Sequence, residues 1–293
     1  MIADPGHLTI GVGPRASIAT TRPPTIGRVF VGKTPREALV LAPMLFAVCG
    51  AAQTEACASA LRAAGADVPP GPGSRAVAAE ATREHLMRIA VDWSRALGEE
   101  PEPDTLKAVH ALPRSAVVDM QSKARALITR MLAPLESLAL PGWHHHQSSL
   151  GARLIRRVIE EGWADLGGIS ELQERETSAL TLTSSNTGGA AGNGLLARLL
   201  ARPAHLLQLF DALALAGSVT GPVSTSRGLL RHRAQLNGGR ITAYDIVAPT
   251  DVNFAAGGPA QESLAACGSI AELPARLLIE AFDPCIPYSL RAA

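Results

Sequence analysis

Only 3% of the 293 residues are aromatic. That scarcity argues against a β-sandwich or barrel, because strands favour aromatic and β-branched side chains. An excess of one charge is missing as well: 27 Lys and Arg against 26 Asp and Glu leave a formal net charge of +1. No global field therefore calls for nucleic acid or an anionic membrane as partner. The most apolar run, Leu39 to Ala52, is too short to span a bilayer and contains Pro43. The opening MIADPGHLTI has neither a basic start nor an apolar h-region, so no signal peptide is read and the expected location is the cytoplasm. Cysteine is sparse. Cys49, Cys57, Cys267 and Cys285 lie far apart without disulfide spacing, and in a reducing compartment such thiols are packing residues, metal ligands or reactive groups.

What is present is a 47% hydrophobic content rich in Ala and Leu. Both are strong helix formers, so the expected class is mainly α with small β-sheets, α+β in kind. The chain reads as one domain over 1–293, with a small N-terminal β region at about 7–32, a helical core at about 35–220 and a β-hairpin at about 228–250. In the first region Leu8, Ile10 and Val12 alternate, and a second extended stretch is predicted over Ile26 to Val31. A helix is predicted to begin at Thr34-Pro35, with Thr34 as N-cap and Glu37 completing a capping box, leading toward Cys49. Gly65 to Gly73 reads as a linker or exposed loop.

Amphipathic helices follow through Leu86–Leu97, Ala124–Leu135 and Leu150–Val158. A longer one begins after the turn Thr187–Gly194, with Asn193 as a candidate cap, and runs to about Ala216 with Pro203 as a candidate kink. Gly239 to Val247 alternates as a strand opened by Asn237-Gly238, and Pro274 to Ala281 is a last short helix. The glycine-rich turn lacks the Gly-Lys-Ser/Thr ending of a phosphate loop.

The informative stretch is SRGLLRHRAQLNGGRITAYDIVAPTDVNF, residues 226–254. It resembles the segment of nickel–iron hydrogenase large subunits that reads P-R-G-x-x-x-H, then a turn and strand, then P-[ST]-x-x-N. Here those elements are Arg227-Gly228, His232, Pro249-Thr250 and Asn253, with Ser226 at the leading Pro. DPCIPYSLR at 283–291 is similar to the C-terminal D-P-C-x-x-C-x-x-[HR] ligand motif, with Cys285 at the first cysteine, Tyr288 at the second and Arg291 at the last position. VCGAAQTEA at 48–56 resembles C-G-x-C-x-x-x-H, with Cys49 present but Ala52 and Ala56 at the second cysteine and the histidine. PGHLTI resembles the E-G-H motif with Pro5 replacing the acid. Coverage runs from about residue 5 to the end, and a large-subunit-like helical core is expected.

In that family four thiolates hold nickel, and two also bridge to an iron carrying carbon monoxide and cyanide. The missing cysteines are the bridging pair, and a methyl and a phenol do not replace two soft thiolates. Pro5 removes the carboxylate that the family uses to pass protons. The resemblance therefore implies no hydrogenase activity and no bound nickel. It also implies retained iron-side surroundings: Arg227 over the diatomic ligands, Thr250 after Pro249 as a cyanide partner, and Cys49 and Cys285 as two thiolates. Both cysteines match nickel-terminal positions, so fragment or loops must shift for both to reach one iron.

The chain stops two residues after Arg291, so no maturation cleavage is expected. The whole pattern resembles hydrogenase accessory proteins of the HupK/HoxV type, implied to be scaffolds for the Fe(CN)2(CO) fragment. Their implied partners are small iron-fragment carrier chaperones, the hydrogenase assembly complex and the hydrogenase large subunit.

Plainer readings stand beside these. Cys49 in an apolar helical stretch is otherwise a small buried hydrophobe, and Cys57 and Cys267 read as packing residues. Arg227 is otherwise a buried ion-pair partner. His144-His145-His146 reads as a solvated turn, with nickel storage the lesser reading, since adjacent histidines do not face one ion easily. Three functions remain: a scaffold holding the iron fragment, a metal-free chaperone that docks assembly factors or protects an intermediate, and a residual redox enzyme.

Overall fold

The computed structural model describes residues 5–23, 26–46, 48–112, 119–146, 148–169, 171, 175–183, 192–214, 217 and 219–292. Strands β1 (Leu8–Val12) and β2 (Ser17–Thr20) pair antiparallel, with Ile10 opposite Ile18. The extended stretch predicted over Ile26 to Val31 is corrected: Ile26–Phe30 forms a 3-10 turn. Tertiary packing overrides strand propensity here. Phe30 is fully buried and stacks on Tyr244 with ring centroids 4.4 Å apart. Gly27 passes so near the Tyr244 carbonyl oxygen that a Cβ would meet it at 2.3 Å.

Helix α1 (Pro35–Leu45) has the expected capping box: Thr34 N donates to Glu37 Oε2 at 2.7 Å, and Glu37 N to Thr34 Oγ1 at 3.3 Å. Helix α2 (Gly50–Ala63) follows, and Cys49 is its N-cap. The cysteine thus stands at a helix entrance rather than inside an apolar helix. The 65–73 segment is the expected exposed loop, and its end is anchored by a buried carboxylate. Fully buried Glu55 accepts from Gly73 N at 2.8 Å and from Val219 N at 3.2 Å, and a Cβ on Gly71 would strike Glu55 Oε2 at 2.2 Å.

Helix α3 (Gly73–Arg88) continues through a π-helical turn, Ile89–Trp93, into α4 (Ser94–Ala96). Around it lie α5 (Pro103–His110), α6 (Asp119–Met131), α7 (Leu135–Leu138) and α8 (Leu150–Glu160). Their apolar stripes, including Leu86, Ile89 and Trp93 with Ile128 and Ile155, build the main core. Then come α9 (Ala179–Thr183) and α10 (Leu195–Ala214), which includes Pro203 without a break. Most of the Thr187–Gly194 turn lies outside the described residues. Its end is a correction: Gly194 O accepts from Arg198 N at 3.1 Å as the helix cap, while the Asn193 amide donates to the Ile169 carbonyl.

A second sheet has the order β3 (Val223–Thr225), β4 (Gly228–Asn237), β5 (Arg240–Val247). Its hairpin turn is Gly238-Gly239, with φ of +55° and +75°, one residue later than the predicted Asn237-Gly238. Both central residues need positive φ, which glycine supplies without a Cβ clash. Three helices close the chain: α11 (Pro249–Asn253), α12 (Pro259–Ala266) and α13 (Glu272–Phe282). The last strand, β6 (Tyr288–Ala292), pairs parallel with β1, Leu8 opposite Tyr288 and Ile10 opposite Leu290. The two ends of the chain are therefore held in one sheet. Among the described residues no helix is long and apolar enough to cross a membrane.

Candidate functional site

The α2 entrance that carries Cys49 is held from outside the helix. Glu80 on α3 accepts from Ala51 N at 2.8 Å and Ala52 N at 3.1 Å, which satisfies two of the free amides of the first turn. One turn on, Gln53 Nε2 reaches Cys49 Sγ at 3.6 Å, and its Oε1 meets His232 Nε2 at 2.9 Å. The other ring nitrogen of His232 meets the Tyr244 hydroxyl at 2.8 Å. Burial drives the His232 pKa down to about 3, so the imidazole is neutral at physiological pH. A neutral hydrogen-bond chain thus orients Gln53 toward the thiol.

Cys285 owes its place to a sharp stop. Helix α13 ends on Asp283, whose φ of +56° makes it the one non-glycine with positive φ among the described residues. Asp tolerates this left-handed cap better than most side chains. Its carboxylate is buried and faces three guanidiniums: Arg88 Nε at 3.1 Å, Arg202 Nη1 at 3.4 Å and Arg227 Nε at 3.5 Å. Desolvation pushes Asp283 up, but Arg227, Arg202 and Arg88 outweigh it and hold the carboxyl below its ordinary range. Arg88 also donates to the Pro284 carbonyl at 3.2 Å. The turn is locked, and the next residue is Cys285.

Cys285 Sγ accepts from Thr250 Oγ1 at 3.1 Å and from Arg22 Nη1 at 3.2 Å, and Cys285 N donates to Thr250 Oγ1 at 3.0 Å. Thr250 is buried just after Pro249, the first residue of α11, whose start is fixed by Ala248 N donating to Asp251 Oδ2 at 3.3 Å. Arg227 sits in the β3–β4 turn. Thr225 Oγ1 closes that turn by donating to Gly228 O at 2.8 Å and accepting from Arg227 N at 3.1 Å. The Arg227 side chain is only 4% exposed and pairs with Glu84 at 3.1 Å as well as with Asp283.

The other motif residues support this scaffold. Asn253 bonds the Thr177 backbone at both ends, at 3.0 and 2.6 Å, and Thr177 Oγ1 accepts from Leu229 N at 2.7 Å. Gly228 lies so close to Thr177 that a Cβ would meet its carbonyl carbon at 2.5 Å. Thr177, Glu80, Glu84, Arg22 and Gln53 escaped the sequence reading. Gln53 alone left a signal, its i+4 spacing from Cys49.

The residues that depart from the resembled motifs pack or form local hydrogen bonds. Ala52 and Ala56 are buried with Val77, Val223 and Leu230, and Cys49 packs against that cluster. The Tyr288 hydroxyl donates to Glu280 Oε1 at 3.0 Å. Pro5 is exposed, while His7 Nε2 meets Ser289 Oγ at 3.1 Å. Cys57 is fully buried in the Phe30–Tyr244 cluster, and Cys267 packs on the main core. The solvated turn at the three histidines needs correction for His144. It is buried in a 3-10 turn, Trp143–His146, and Arg156 Nη1 donates to its carbonyl at 2.6 Å.

The two candidate thiols share one electrostatic environment. Desolvation and then Cys285 raise the Cys49 thiol to about 12, while Arg227 pulls it the other way. Cys49 retains some surface as a residue, but desolvation of its sulfur dominates. Arg227 and Arg22 each feel both cysteines. Among the described residues no group of three or more His, Cys, Asp or Glu side chains gathers to hold a metal ion. The protein offers two soft sulfurs, one locked guanidinium and one hydroxyl.

This helical body with two small sheets has the fold of nickel–iron hydrogenase large subunits. The reduced Ni-Fe-Se hydrogenase from D. vulgaris Hildenborough matches it with a TM-score of 0.62 at 14% identity, over 94% of this chain and 93% of that one. In sequence, the hydrogenase expression/formation protein HupK of Azotobacter vinelandii is 32% identical, over 92% of this chain and 91% of the relative. The hydrogenase expression/formation protein HoxV of Cupriavidus necator is 28% identical, over 100% and 97%. No family model matches. The chain belongs to the HupK/HoxV family of hydrogenase expression/formation proteins.

Proposed function

We propose that the protein is a non-catalytic scaffold in nickel–iron hydrogenase maturation, which takes up the Fe(CN)2(CO) fragment and passes it to the hydrogenase large subunit. The supporting observation is the shared surroundings of Cys49 and Cys285, where Thr250 donates to the Cys285 sulfur and Arg227 acts on both thiols. Two thiolates suit one soft low-spin iron, and too few ligands for a tight cage suits release. Arg227 offers fixed N–H groups of the kind that bind cyanide, and its carboxylate partners keep it from moving. Nickel is not expected, because packing residues fill the positions of the bridging cysteines.

The fragment's source, on this reading, is a small carrier chaperone working with the assembly complex in the cytoplasm. The test is anaerobic purification from maturation-competent cells followed by infrared spectroscopy. Carbon monoxide and cyanide stretches are expected, and they disappear in Cys285→Ser. Their absence from the unaltered protein would count decisively against the scaffold.

The second reading, a metal-free docking chaperone, draws on apolar side chains left on the surface around α1: Val29, Val31, Val40, Met44 and Val48 are each at least 40% exposed. It predicts that Cys49→Ser and Cys285→Ser both still support maturation.

A further inference from the structure

A cavity of about 470 Å³ opens between β2, the 3-10 turn at Ile26–Phe30, β5 and α11, and its wall includes Ile286 and the two residues that contact Cys285, Arg22 and Thr250. Its polar lining includes Arg22, Arg28, Asp245, Thr250 and Asp251. Two of these touch the thiol directly: Arg22 Nη1 and Thr250 Oγ1 both donate to Cys285 Sγ, at 3.2 and 3.1 Å. Arg22 is tethered at its other side, Nε to Asp251 Oδ1 at 3.1 Å. Arg227 has no such freedom. It is buried between Glu84 and Asp283.

On the scaffold reading, we propose that this cavity is the binding site through which a small anionic metal–cyanide complex reaches Cys285, and that Arg22 binds its cyanide nitrogens. The sulfur lone pairs now accept hydrogen bonds from Arg22 and Thr250. When the sulfur binds iron, the S–H bond breaks and its electron pair forms the sulfur–iron bond, while the proton goes to the ligand that leaves the iron with its own pair. No oxidation state changes. Nη1 of Arg22 is released from sulfur at that moment and turns to the cyanide now beside it, while Asp251 keeps Nε in place. The guanidinium has five N–H donors, so it serves both partners. Arg22 and Arg28 are balanced by Asp245 and Asp251, so selectivity comes from directed N–H groups and not from net charge.

Hexacyanoferrate(II) is a suitable probe, titrated into the full-length unloaded protein without oxygen and followed by calorimetry and by the cyanide stretch. Wild type is expected to bind, and R22Q to bind about tenfold or more weakly, the scale of one charge-assisted hydrogen bond. Should R22Q fail to fold, R22K decides: it keeps the charge but loses the fork, so several-fold weaker binding is expected. No binding by wild type, or equal binding by the folded variant and wild type, would overturn the proposal. Binding that depends on Arg22, together with an unaltered protein from maturation-competent cells that shows no diatomic bands, would sink the scaffold reading and leave the anion site standing.

Discussion

Thr250 and Cys285 are joined twice through a single hydroxyl, which donates to the sulfur at 3.1 Å and accepts from the cysteine N–H at 3.0 Å. The residue after Pro249 and the cysteine of the C-terminal motif are therefore one unit, although 35 positions separate them.

Thr250→Val breaks that unit while preserving shape. The Cys285 amide loses its partner, and stability should fall by about 1–3 kcal/mol, the cost of an unsatisfied buried donor. Thr250→Ser should recover most of it. Urea melts of the two variants make the comparison.

Asp283 carries a pH signature. Its carboxyl is held below its ordinary range, so its contribution is present above the unfolded value, about 3.9, and is lost as pH falls through the lower folded value. Asp283→Asn strips the anion from among Arg88, Arg202 and Arg227, and about 3–5 kcal/mol should be lost at neutral pH. The variant should also show less acid dependence below pH of about 4. Circular dichroism across acid titrations reads both effects.

Glu280 works in the opposite direction. Desolvation first, and then Asp92, raise its pKa from 4.5 to about 7. The folded protein therefore holds a proton that the unfolded chain releases, and stability declines as pH rises through that interval. Glu280→Gln keeps an acceptor for the Tyr288 hydroxyl without the buried charge. Denaturation at pH 5 and pH 8 should show a flatter profile and a more stable variant at the higher pH.

The thiols should differ in reactivity. Cys49 and Cys57 are raised to about 12 and about 11, both chiefly by desolvation, so little thiolate forms at neutral pH. Cys285 receives two hydrogen bonds on sulfur, from Arg22 and Thr250 of the cavity wall. Iodoacetamide on the native protein, mapped by mass spectrometry, should label Cys285 ahead of Cys49 and Cys57.

Much of the candidate site could be read in the chain because its residues sit in short local patterns. Arg227-Gly228, Pro249-Thr250 with Asn253, and Asp283-Pro284-Cys285 each depend on neighbours within a few positions. The Thr34–Glu37 capping box and the amphipathic helices were legible for the same reason. A misreading arose where a distant partner decided: Ile26–Phe30 coils under Tyr244 instead of extending.

The sequence by itself determined the helical class and the residue at each motif position, Cys49, Ala52, Cys285 and Tyr288 among them, since composition, periodicity and residue identity are local properties. Only the tertiary structure decided that β6 lies beside β1, that Glu80 caps the α2 entrance and that Arg22 reaches Cys285 from 263 residues away. Such contacts depend on how packed elements meet across the core, and no spacing along the chain encodes them.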